Sequence, residues 1–430
     1  MEIRFLNHSS YIFHSGAVSI LVDPWFDGRV FQDGWALLCP TPFEDKDFSS
    51  ITHIWMSHEH PDHFHPPTLK RIPEADRKRI VILFPRTPDG RVVKFLRAQG
   101  FTHILQMAAN RRVELGEGVT ALCSLFGEID SWLYVQAEGK GILNTNDCGI
   151  RTRKCAQKIL GALGGPVDLL LTQFSYAYWK GNPDQKRLRE EEADRKLKYM
   201  KLQVEEFRPK DVIPIASFIW FCHEENFFLN DSINTPRKAR DFLQKETNAR
   251  AVILHPGESF SPGAVHDSDA SLRRYEETYA QAIRPENCVK TRLVDEAKLQ
   301  ESAGKFITRL KATAPWWLHK ALPPTTIHLS DWNRTLSLSP AGLSPSSVSP
   351  EMADVSCTSE SMEHCLRFSW GIDTMGINGR YQRPARGKYE RFYRYFRFDL
   401  LSERGIHVGP SYVLESVSRK VLTRLGLYTP

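Results

Sequence analysis

The apolar run ITHIWMS, residues 51–57, halts at a serine. SHEHPDHFH, residues 57–65, follows at once with four histidines, a glutamate and an aspartate in nine positions. A buried strand that stops on such a cluster has to present it on a loop at a sheet edge, where a rigid scaffold holds polar side chains together. That requirement points to an α/β fold with its chemistry at strand ends. Around the cluster the first 150 residues read as strands joined by turns. YIFHSGAVSILVDP breaks at Ser15-Gly16, and WLYVQ and GILNT are joined through Glu138-Gly139-Lys140, both hairpin signals. RIVILF, VTALCSLF and VDLLLTQF continue the strand pattern, with helical stretches PPTLKRIPEAD, GRVVKFLRAQG and RTRKCAQKILGALG between them.

Further along, DQKRLREEEADRKLKYMKLQVEEF (184–207) is rich in helix formers, and its charges read as a solvated face. DVIPIASFIWF and AVILHPGESF read as strands. SLSPAGLSPSSVSPEM reads as a Ser/Pro-rich loop or linker, and HCLRFSWGIDTMGINGRYQ as two strands with a turn. KYERFYRYFRFDLLSERG interleaves aromatics with arginines, a pattern that reads as an amphipathic element packed on its own domain. At 430 residues two domains are expected: a metal-binding domain over 1–265, a connecting segment over 266–300 and an α+β domain over 301–430.

Composition removes several function classes. The chain is 41% hydrophobic, and its net charge of +6 is spread rather than striped, which argues against nucleic-acid binding. No apolar run approaches a membrane span, and MEIRFLNHSS lacks the apolar core of a signal peptide, so a cytoplasmic protein is expected. The eight cysteines are scattered without a CxxC pair, as a reducing compartment allows.

His58, His60, Asp62 and His63 form the pattern HxHxDH. Imidazoles supply neutral nitrogen donors and the carboxylate offsets metal charge, a combination suited to zinc or iron. HxHxDH after a strand resembles the signature of the metallo-β-lactamase fold superfamily. SILVDPW resembles its first motif and ILNTNDC its fourth. The resemblance covers about residues 1–265 and implies an αββα sandwich. It implies that Asp23 orients the metal loop and that Asp147 bridges two metal ions.

Two positions depart from that pattern. The third motif normally supplies a histidine, yet LFGEIDSW offers only Glu128 and Asp130; His103, in FTHIL, reads as a core or turn residue. At the fifth motif Ala216 or Ser217 stands where a histidine would fall, leaving His223 or His255 as candidates. The chain is similar in these respects to the metallo-β-lactamase-like domain of CMP-N-acetylneuraminate hydroxylase and to the di-iron β-hydroxylases of nonribosomal peptide synthesis. The resemblance implies two metal ions, iron favoured over zinc. One would be held by His58, His60 and Glu128, the other by Asp62, His63 and His223, with Asp62 and Asp130 as catalytic carboxylates and Asp23 and His255 as orienting groups. Replacing a nitrogen donor by oxygen makes the site harder, which favours iron. No Rieske-type Cys/His pair is present, so an oxygenase would draw electrons from a separate reductase.

The leading expectation is a dinuclear oxygenase hydroxylating a small molecule. The alternatives are a dinuclear zinc hydrolase acting on an ester, lactone or phosphodiester and a metal-stabilised binding protein. Trp25, Phe26, Tyr176, Tyr178 and Trp179, in two aromatic loops, are candidates to line the substrate pocket. The C-terminal region resembles a sterol-carrier-protein-type module, with a small α+β domain of no such affinity as the equal alternative.

Overall fold

The computed structural model describes residues 1–403 together with 405, 406, 408, 409 and 412; the rest of the expected C-terminal domain lies outside them. The chain forms two compact units. The first holds Met1–Ala177, Gln185–Cys222 and Leu229–Cys288; the second holds Tyr178–Asp184, His223–Phe228 and the described residues from Val289 onward.

The first unit is an αββα sandwich, as the resemblance to the metallo-β-lactamase fold implied. One seven-stranded sheet runs in the order Ser259–Phe260, Glu2–Asn7, Ser10–Ser15, Val18–Val22, His53–Trp55, Val81–Pro85, His103–Met107. Its early strands form antiparallel hairpins, and its later ones are parallel. The inner strands Val18–Val22 and His53–Trp55 are buried throughout, as strands covered on both faces must be. Leu21, Ile54, Ile82 and Phe84 pack with Leu69 and Leu96 from the covering helices Pro66–Arg71 and Arg91–Ala98. The second seven-stranded sheet runs Arg250–Ala251, Asp211–Ile215, Leu169–Gln173, Lys140–Asn146, Asp130–Ala137, Val119–Phe126, Val113–Gly116. Helices Arg153–Leu163 and Lys186–Phe207 accompany it, and Thr145 Oγ1 and Thr172 Oγ1 both donate to Gln203 of the latter. A small third sheet joins Ile219–Phe221, Trp35–Leu37 and Arg29–Val30.

Several local expectations change. DVIPIASFIWF is two strands in different sheets, broken at Ala216, whose φ of +54° turns the chain. AVILHPGESF keeps only Arg250–Ala251 and Ser259–Phe260 as strand. The first unit extends past residue 265, because helix Ser268–Ala282 belongs to it. Tyr275 of that helix donates to Leu254 O at 2.8 Å and stacks on Phe218. The charges of Lys186–Phe207 are not all solvated: Arg189 and Glu192 are buried, and Arg189 pairs with Asp231 at 2.6 Å.

The second unit is α+β. Strands Gly342–Ser346, Arg334–Ser339, Thr325–Leu329 and Val355–Cys357 form its sheet, and the first two make a hairpin of the stretch expected to be a loop. Pro345 is tolerated there because its strand is at the edge. Leu299, Phe306 and Leu310 of helix Glu296–Thr313 join Phe392 and Phe396 of Tyr389–Glu403 in its core. HCLRFSWGIDTMGINGRYQ is helical, not two strands. Thr358 caps Ser359–Arg367 by accepting from Ser361 N, and Gly379, at φ +70°, closes Gly371–Asn378. Among the described residues no helix is long and apolar enough to cross a membrane.

Candidate metal centre

The site assembles where strands of the first unit end. Asp23 follows Val18–Val22, and the histidine loop follows His53–Trp55. Asp130 opens its strand, Asp147 follows Lys140–Asn146, and Gln173 closes Leu169–Gln173. Asp23 is the hub. Its carboxylate accepts from Ser57 N at 2.7 Å and from Ser57 Oγ at 2.9 Å, and its Oδ2 lies 2.9 Å from His63 Nδ1. Asn146 Nδ2 donates to the same oxygen. Because the Ser57 hydroxyl proton goes to Asp23, His58 Nδ1, 2.9 Å from Ser57 Oγ, must be the donor in that contact. In both rings Nε2 is thus the nitrogen left facing inward, the arrangement in which outer partners fix a metal ligand's orientation.

On the inner side, His58 Nε2 is 3.0 Å from His60 Nδ1 and 3.9 Å from Asp130 Oδ1. His63 Nε2 is 3.1 Å from Asp62 Oδ2 and 3.4 Å from Asp147 Oδ2. Donor atoms of His58, His63 and Asp147 lie within 4.8 Å of one another, as do those of His8, Asp62 and His63. Asp62 Oδ1 is buried with no hydrogen-bond partner among the described residues. An orphaned carboxylate oxygen beside converging imidazoles fits a cation.

The electrostatics agree. Burial, with His63 and His60 as neighbours, holds His58 well below its ordinary value. Burial would do the same to His63, but Asp62, Asp23 and Asp147 outweigh it and raise that ring. Asp62 is lowered because His63 and His8 outweigh its burial. Asp130 is pushed up to about 7 by burial and by Asp147, despite His60, His63 and Lys196. Lys196, from the helix expected to be solvated, reaches inward. Its ammonium donates to Gln173 Oε1, and Gln173 Nε2 donates to Asp147 Oδ1 at 2.9 Å. Burial brings Lys196 down to about 8, opposed by Asp147.

Other expected residues fall elsewhere. Glu128 is exposed on the turn between Val119–Phe126 and Asp130–Ala137, and Asp130, which opens the second strand of that hairpin, lies 3.9 Å from His58 Nε2; neither belongs to the groups of converging donors. His223 belongs to the second unit, with Glu225 and Glu360. His255 lies against the Tyr275 ring with Nε2 3.4 Å from Thr278 Oγ1, outside those groups. Of the expected pocket aromatics, Trp25, Phe26 and Tyr176 are buried: Trp25 packs edge-on to His8, Phe26 among Phe43 and Phe48. Tyr178 and Trp179 belong to the second unit, where Trp179 stacks on Tyr381. His103 opens an exposed strand. His8 was not expected at all. A lone histidine in LNHSS has no motif spacing, and its arrival at Asp62 depends on a contact across 54 residues.

Residues 2–114 match the family described as beta-lactamase superfamily domain. The chain is 24% identical over 280 residues to cytidine monophosphate-N-acetylneuraminic acid hydroxylase of Gorilla gorilla gorilla, covering 61% of this chain and 45% of that protein. It is 25% identical over 290 residues to the Mus musculus hydroxylase, covering 64% and 48%. It thus spans about half the length of the curated relatives it matches. Among solved structures, CmlA, a diiron beta-hydroxylase from Streptomyces venezuelae, aligns with a TM-score of 0.43 at 16% identity over 60% of this chain and 53% of that one. A possible metal-dependent hydrolase from Veillonella parvula aligns with a TM-score of 0.46 at 13% identity over 60% and 98%. With its sheets and histidine loop, the chain resembles the beta-lactamase superfamily domain that residues 2–114 match, and the CMP-N-acetylneuraminic acid hydroxylases.

Proposed function

We propose that this chain is a dinuclear metal oxygenase that hydroxylates a small molecule, with iron preferred to zinc and electrons drawn from a separate reductase. The observation that supports it is the carboxylate beside His58: Asp130 Oδ1 lies 3.9 Å from His58 Nε2, and the stretch LFGEIDSW that contains it offers no histidine. His58, His60 and Asp130 would hold one ion, Asp62 and His63 the other, with Asp147 between them. Three carboxylates against three imidazoles make a hard, anionic donor set. Two such ions, when bound, supply paired redox equivalents toward dioxygen. The chain's own groups do the rest. Asp23 and Ser57 hold the rings, and Lys196 acts through Gln173 to hold Asp147. The names of the two sequence relatives given above, both hydroxylases, lean the same way.

The test is to load the protein with ferrous iron without oxygen, measure iron per chain, then admit oxygen with a chemical reductant. Two iron equivalents and reductant-dependent oxygen uptake are expected. Zinc as the only metal retained, no oxygen uptake, and turnover of simple ester, lactone or phosphodiester probes would replace this reading by hydrolysis.

A further inference from the structure

We infer that His8 is the ligand that completes the second metal position, in the role for which the sequence offered His223 and His255; the inference rests on the dinuclear reading above. His8 sits in the turn between Glu2–Asn7 and Ser10–Ser15 and is 1% exposed. Its Nε2 is 3.3 Å from Asp62 Oδ2, and that same oxygen is 3.1 Å from His63 Nε2. Ligand bonds of about 2.0–2.2 Å at tetrahedral or octahedral angles place neighbouring donors roughly 2.9–3.5 Å apart. Both separations fall inside that range, and all three donors lie within 4.8 Å of one another.

The backbone is built to hold the ring there. His8 has φ +43°, a left-handed conformation that a non-glycine residue adopts at a cost and that clusters at functional sites. His8 N donates to Asn7 Oδ1 at 3.1 Å, and Asn7 Nδ2 donates to Cys39 O at 2.8 Å. His8 O accepts from Ala216 N at 3.0 Å. Ala216 or Ser217 is the position where, by the resemblance, this fold's last histidine would fall. The Ala216 peptide clamps His8 instead, so the imidazole reaches the site from the opposite sheet. The Trp25 ring closes the other side at 5.6 Å. The competing role is an ion pair with Asp62 and nothing more.

Cobalt(II) separates the two roles. Metal-free full-length protein is titrated with Co2+, following visible absorption and metal per chain, for wild type, His8→Asn, His8→Gln, His223→Asn and His255→Asn. Asparagine tolerates the left-handed backbone, so His8→Asn keeps the turn; cooperative melting confirms folding. Wild type should bind two equivalents. Both His8 variants should keep one and bind the second at least tenfold more weakly, while His223→Asn and His255→Asn keep two. Two equivalents at wild-type affinity in both His8 variants would overturn the assignment, as would loss of both equivalents from a folded variant. Failure of the dinuclear reading itself would show separately, as fewer than two equivalents in wild type.

Discussion

The first unit gathers His8, His58, Asp62, His63 and Asp147, with His60 and Asp130 beside His58; the second gathers His223, Glu225 and Glu360, with His223 Nδ1 3.5 Å from Glu225 and Nε2 3.8 Å from Glu360. By proximity alone both are metal candidates. They differ in what neutralises the carboxylates. In the second unit Arg380, 1% exposed, lies 2.7 Å from Glu225 Oε1 and 2.7 Å from Glu360 Oε2, while Thr291, Thr358 and Ser361 donate to Glu225. The cation is already part of the chain. In the first unit no arginine is paired with Asp62, Asp130 or Asp147 among the described contacts, one oxygen of Asp62 is orphaned, and Asp130 is pushed up to about 7. A cluster whose carboxylates are bonded directly to a buried arginine is structural; one whose nearest lysine reaches a carboxylate only through Gln173 leaves room for an ion.

The double change His58→Ala with His60→Ala should show the largest effect. It should abolish at least one metal equivalent by elemental analysis while cooperative thermal unfolding persists, since apolar strands carry the core. Retention of full metal would end the distinction. Arg380→Met should do the reverse: unchanged metal content, but a loss of about 3–5 kcal/mol in urea unfolding, because two carboxylates lose their buried partner. A metal-content change in Arg380→Met would mean that the second cluster binds an ion after all.

The same arginine bears on pH dependence. Burial, then Arg380 and Arg367, bring His364 down to about 4, and its Nε2 is buried without a hydrogen-bond partner among the described residues. The unfolded chain takes up this proton near pH 6.5 and the folded chain only near 4. Stability is thus intact above 6.5 and falls as pH drops toward 4, by at most about 3 kcal/mol. His364→Gln should flatten that limb of the unfolding-midpoint curve. Smallest in scope is the contrast on the Val119–Ala137 hairpin. Asp130→Asn should weaken one metal position by tenfold or more, whereas Glu128→Gln should leave both unchanged, read by metal titration. The opposite result would return the ligand to Glu128.

How much of this could be read from sequence follows the range of the contacts involved. HxHxDH and the hairpins are local, so spacing reveals them. The choice between Glu128 and Asp130 hangs on where one turn ends and the strand begins, a matter of one or two residues that composition does not resolve. His8 needs the turn at residues 8 and 9 and the sheet packing together, and a single histidine carries no periodic signal. Arg189 looked solvated in a charge-rich helix because its partner, Asp231, lies 42 residues on. Gly371–Asn378 read as strand because its apolar residues are few and short; its caps, Gly379 above all, were the legible clue.

The Asp23–Ser57–His63–Asn146 frame has a consequence for how the protein is made. Ring orientation is set by protein atoms, so assembly of the polypeptide need not wait for an ion, and loading can follow folding. A cage finished in advance accepts whichever divalent ion arrives, and intrinsic affinity ranks zinc and copper above ferrous iron. The active form is then settled by cellular supply at the time of loading, and protein from an overproducing, zinc-rich culture would be mismetallated without being misfolded.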